Sequence, residues 1–83
     1  MSRVIVVVEA GWVFLADSVT HVWVYEALPV LRLHSANVIR VWGTTAGLGE
    51  IALKGPTKDT VLDFVGDVDV PQTKVLAMIP CTY

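Results

Sequence analysis

The sequence predicts an α+β fold, mostly antiparallel β, in which a small curled sheet or half-open barrel is closed by one short helix. Two observations carry this. Valine- and isoleucine-rich runs and two-residue alternation recur along nearly the whole chain, whereas helical spacing occurs only once, within Thr44 to Leu53. Glycine, proline, asparagine and aspartate also interrupt the runs at short intervals, as turns between short strands require.

Val4 to Val8 is a continuous β-branched run, the pattern of a strand buried on both faces. Glu9-Ala10-Gly11 permits a tight turn or bulge, after which Trp12 to Asp17 reads as a second strand. Val22 and Val24 alternate with Trp23 and Tyr25, giving a strand with an aromatic face, and Pro29 places an edge or loop next to it. Val30 to His34 alternates again. Ser35-Ala36-Asn37 then has turn chemistry, and Val38 to Trp42 follows with Arg40 and Trp42 on one face and Ile39 and Val41 on the other. Leu48, Ile51 and Ala52 define a helix over about residues 46–53, stopped by Gly55-Pro56. Thr60 to Val65 and Val68 to Val70 read as two short strands about a Gly66-Asp67 turn, and Lys74 to Ile79 as a last strand ended by Pro80.

Length and composition bound the rest. The 83 residues make one domain, 1–83, near the size at which a single core folds without metals or disulfides. Hydrophobic residues reach 54% and charged ones only 17%, against roughly 45–50% and about 25% in ordinary globular chains. A small domain cannot hide that much apolar side chain, so a homo-oligomer is expected, a dimer most simply. The strand near Trp23 and Tyr25 is a candidate interface. Val4 to Ala16 is too short for a spanning helix and contains Glu9, which also interrupts a secretory signal; an intracellular, non-membrane protein is expected. A net charge of −2 with six scattered basic residues offers no stripe for phosphates, so no specific nucleic acid is expected. A single cysteine, Cys81, precludes an intramolecular disulfide.

Several patterns imitate sites. Gly47, Gly49 and Ala52, with Asp69 twenty residues beyond Gly49, fit a dinucleotide fingerprint, but a mostly β chain of this length has no room for a doubly wound sheet. His21, His34 and Cys81 lack metal-ligand spacing, and no metal or cofactor is expected. Asp59, Asp63, Asp67 and Asp69 read as solvated strand ends and turns, and no catalytic residue is assigned. Trp12 and Trp42 read as core residues bridging sheet and helix. If the chain has a compact functional surface, it is Arg40, Trp42, Thr44, Thr45 and Glu50: a cation and an indole on one strand face, glycines that admit a close approach, and a helix start with free N–H donors. Such a start also suits a small anion.

One resemblance runs through the second half of the chain. Ala36, Ile39, Arg40, Trp42 and Gly43, then Leu48, Ala52 and Gly55, with a tail of Val75, Leu76, Ile79, Pro80, Cys81 and Thr82, resemble a family of small phage and prophage proteins. Members read roughly A-x-x-I-x-x-W-x-G, then L-x-x-L-A-x-x-G, then V-x-x-I-P-C-T. The family has no established activity. The resemblance implies a non-enzymatic binding protein in a host cytoplasm, occluding a bacterial target such as a defence component. The alternatives are a self-associating virion or assembly protein and a small-anion binder.

Overall fold

The computed structural model describes residues 3–24, 28–44 and 47–83. It is a curled, entirely antiparallel sheet of six strands with one short helix, the fold class the sequence predicts. The strands are β1 (Val4–Val8), β2 (Trp12–Ala16), β3 (Ser18–Val24), β4 (Leu28–Val41), β5 (Val61–Pro71) and β6 (Val75–Pro80); α1 is Leu48–Lys54. One-turn 3₁₀ segments at Glu9–Gly11 and Gln72–Lys74 make the β1–β2 and β5–β6 connections.

The 14-residue β4 organises the sheet. β5 follows one of its edges from Val30↔Pro71 to Val41↔Val61. Its other edge takes β3 along the first half, from Val24↔Leu28 to Ser18↔His34, and β2 along the second, at Phe14↔Val38 and Leu15↔Asn37. β1 then pairs with β2, and β6 with β1. Pro29 opposes Trp23 of β3 just before β5 pairing begins at Val30, so its missing N–H falls where β4 is paired on one side only.

Two readings are corrected here. Ser35-Ala36-Asn37 and Gly66-Asp67 do not reverse the chain; both lie inside long strands, where the β4–β5 register shifts between Leu33 and Ala36 and again between Ala36 and Asn37. Ser35 has φ 49° and Gly66 φ 86°, and the Ser35 amide donates to Asp67 Oδ1 at 3.0 Å. These are bulges, and they redirect side chains. Along β4, Leu31 and Leu33 face the first core, then Ala36 and Val38 do; along β2 and β3, Phe14 and Ala16 do, then Val19. The inward set thus changes parity in neighbouring strands at the same level, and the sheet bends there over its own face.

That bend encloses the first core, in which Val6, Val8, Phe14 and Ala16 meet Leu31, Leu33, Ala36 and Val70. The opposite face carries a second core of Ile5, Val13, Leu15 and Ile39, covered by Ile51 and Ala52 of α1 and by Cys81. β1 therefore contributes to both cores, Ile5 to one and Val6 and Val8 to the other, as its unbroken apolar run predicts. The C-terminal segment fastens the helix. Cys81 N donates to Arg3 O at 2.8 Å, Thr82 N to Ala52 O at 2.7 Å, and the Gly55 amide to Ile51 O at 2.8 Å. Burial pushes the Cys81 thiol up from its ordinary pKa, so it stays a neutral apolar group at physiological pH.

The four aspartates are mostly not at strand ends. Across the outer side of β4 and β5, Arg32 makes a two-point contact with Asp69, Nε–Oδ1 2.7 Å and Nη2–Oδ2 3.0 Å. Arg40 reaches Asp63 at 2.8 Å. The Arg32 hydrogen bond holds the Asp69 carboxyl below its ordinary range. A lowered folded pKa contributes stability that is present above the unfolded value and lost as pH falls through the folded one. Asp69→Asn is expected to flatten part of the acid-side loss of stability below about pH 4, read as the urea midpoint against pH; an unchanged acid limb would show the pair contributes nothing.

Candidate functional site

Arg40, Trp42 and Thr44 occupy the end of β4 and the loop after it, and Glu50 the first turn of α1; Thr45 lies outside the described residues. The loop is shaped by threonine hydroxyls. Thr60 Oγ1 donates to the Trp42 carbonyl and Thr57 Oγ1 to the Gly43 carbonyl, both at 2.6 Å, and Thr44 Oγ1 donates to the Gly47 carbonyl at 3.0 Å. Gly43, at φ 64°, lies so close to the Asp59–Thr60 backbone that a Cβ would fall 2.2 Å from the Asp59 carbonyl carbon. The main chain of Trp42 and Gly43 is thus fixed from the far side of the loop.

On this rigid base the Trp42 indole is 44% exposed, next to exposed Val41 and Arg40. Its six-membered ring lies beside Gly47, where a Cβ would sit 3.6 Å away in ordinary contact. Trp42 is therefore not the buried bridge between sheet and helix that its apolar character suggests. Trp12 is not either: it is 53% exposed and stacks on Phe14, 6.0 Å between centroids and 10° between planes. The Arg40 guanidinium is paired with Asp63, its side chain largely exposed and that of Asp63 about half exposed, so its charge is balanced at the surface.

The helix start offers an anion little. α1 has seven residues and no side-chain cap, its first turn carries Glu50, the Thr44 hydroxyl donates to Gly47, and Arg40 is committed to Asp63.

Two arrangements escape sequence reasoning. The curl of the sheet leaves an open, mostly apolar cavity of about 380 Å³, lined by valines of β1, β4 and β5 with Trp12, Phe14, Asp69 and Pro71. It could be read only after β5 had been placed over β2. On the outer face, His34 Nε2 meets the Thr20 hydroxyl, and its Nδ1 lies 3.7 Å from Asp67 Oδ2. The order resembles a hydroxyl–imidazole–carboxylate relay, but Nδ1 is beyond hydrogen-bond distance of the carboxylate. It acts as a polar ladder across β3, β4 and β5.

Trp23 is 68% exposed on β3, an edge of the sheet, where a candidate interface strand was expected; Tyr25 lies outside the described residues. Among the described residues no group of three or more histidine, cysteine or carboxylate side chains is placed to hold a metal, and no helix is long and apolar enough to cross a membrane. No protein-family model, curated protein or solved structure matches the chain.

Proposed function

We propose that the chain is a non-enzymatic binding protein that acts by occupying the surface of another protein in a stoichiometric complex. In the phage setting that its motifs resemble, the target is a bacterial host protein, a defence component being the leading class. The observation that carries this reading is the display of Trp42: a half-exposed indole on main chain held by two threonine hydroxyls, flanked by Arg40 and Val41. Aromatic and arginine side chains dominate binding energy when they enter a partner's pocket, and a preordered loop loses little entropy in doing so. The wider surface supports it. The accessible area, 5118 Å², is near the roughly 4,900 Å² expected of a monomer this size, so it is the chemistry of the surface that is unusual. Trp12, Trp23, Phe64 and Leu76 are all more than half exposed.

Affinity capture from infected cells, compared with purified virions, tests the reading when wild type and variants are run side by side. Trp42→Ala and Arg40→Ala are each expected to weaken capture of the same host protein by about tenfold or more. Arg40→Ala should leave the melting temperature nearly unchanged, because an exposed pair such as Arg40–Asp63 contributes at most about 1 kcal/mol. Equal capture by all three proteins would remove this surface from the site, and enrichment in the particle without a host partner would favour the assembly role.

A further inference from the structure

The sheet has three free edges among the described residues, and they differ in chemistry. β5 pairs only with β4 and carries Asp63, Asp67 and Asp69, of which Asp63 and Asp69 are paired with Arg40 and Arg32, beside exposed Phe64 and Val65. β3 pairs only with β4 and presents Ser18, Thr20 and His21 to water, together with Trp23 at 68% exposure. β6 pairs only with β1, and Val75–Pro80 contains neither a charged nor a hydrogen-bonding side chain. Leu76 is 65% exposed and Met78 44%. Edge strands of stable monomers are normally blunted by lysine, inward charge, proline or a bulge; β6 has Pro80 at its very end and a one-residue bulge at Leu76, and no charge.

We infer that β6 is the seam of a two-fold homodimer, in which it pairs antiparallel with β6 of a second copy to make one sheet through both subunits. The strand is self-complementary. Centred on Ala77, its smallest residue, an antiparallel pairing brings the exposed Leu76 and Met78 of both copies to one seam, with no like charges brought together. Lys74, just outside the strand, is held by Glu9 of its own chain at 3.2 Å, so the basic residue at the seam's end is neutralised before the copies meet. The occupant is a second copy because an identical uncharged strand satisfies the free main-chain groups and both exposed side chains at once. Six residues of main chain with two large side chains cover on the order of 400 Å² per copy, about half of a standard stable interface, so the dimer forms and dissociates in the micromolar range. This inference does not rest on the partner-binding reading of Arg40 and Trp42.

Sedimentation velocity of the whole chain, from low to high micromolar concentration, tests it. Wild type is expected to pass from one chain mass to two. Met78→Lys and, separately, Leu76→Lys replace exposed side chains and should keep the wild-type circular dichroism while weakening association at least about tenfold, as edge lysines do. Thr20→Lys on β3 should leave association unchanged. A single chain mass throughout the range overturns the inference, as does a dimer indifferent to both β6 variants or one lost in Thr20→Lys.

Discussion

Gly43→Ala is expected to leave the chain largely unfolded, with the urea transition lowered by more than about 3 kcal/mol or absent. Two effects add. At φ 64° an alanine occupies the left-handed region at a cost of roughly 1 kcal/mol. Its Cβ would also lie 2.2 Å from the Asp59 carbonyl carbon and 2.4 Å from Thr60 N, contacts with backbone that no side-chain rotation relieves. Relief requires the 57–60 loop to move, which breaks the Thr57 and Thr60 hydrogen bonds that fix Trp42 and Gly43. Against the 5–15 kcal/mol stability of ordinary domains, and the low end of that range for a chain this small, such a loss is close to total. Gly49→Ala is the matched comparison: nothing lies within 4 Å of its Cβ and it sits inside α1, so it should be neutral or stabilising by up to about 1 kcal/mol. Equal transitions for the two variants would mean that the Gly43 contact is not rigid.

The residues that carry the sequence resemblance are, on this structure, largely a set of packing requirements. Ala36 is fully buried beside the bulge, Ile39 and Ala52 lie in the second core, Leu48 packs against it, and Gly43 and Gly55 adopt positive φ. In the tail, Cys81 is core and Thr82 binds the helix carbonyl of Ala52. Arg40, Trp42 and, in the tail, Leu76 are exposed members of the set; Arg40 and Trp42 lie together beside the braced loop, which is why they carry the functional proposal.

What the sequence made legible follows from locality. β1, β2, β6 and α1 are bounded by turn residues and carry a simple run or period, so their existence could be read directly. β4 and β5 could not, because the bulges that bend the sheet use the same residues as turns: Ser35 and Asn37 in one strand, Gly66 and Asp67 in the other. The parity change they impose also erases two-residue alternation where it would have shown continuity. The grouping of Arg40 with Trp42 was read from residues two apart, but the register shifts between Ile39 and Val41, and Val41 is exposed alongside them instead of sharing the buried side of Ile39. Asp63 could not be read, because its place beside Arg40 depends on the β4–β5 register across 23 positions. The exposure of Trp12 and Trp42 was equally hidden: an apolar ring reads as core until, for Trp42, the threonines that fix its main chain and, for Trp12, the stack on Phe14 are placed.

Ile51→Ala is expected to cost about 2–4 kcal/mol, the range for truncating a fully buried aliphatic side chain. Its effect should differ from an equal truncation in the first core. Leu33 lies where β4 is paired on both edges, so Leu33→Ala lowers the stability of the whole sheet. α1 is joined to the sheet by side-chain packing and no ladder pairing, and its two fully or nearly buried anchors are Ile51 and Ala52. Losing the larger one should release the helix and the C-terminal segment tied to Ala52 before the sheet unfolds. Cys81 reports that opening. Packed against Ile51 with its pKa pushed up by burial, it should react slowly with a thiol reagent in wild type and in Leu33→Ala at low denaturant, and many-fold faster in Ile51→Ala. If the thiol is equally slow in Ile51→Ala and in wild type while the urea midpoint falls, the helix and sheet unfold as one unit and the second core is not a separable element.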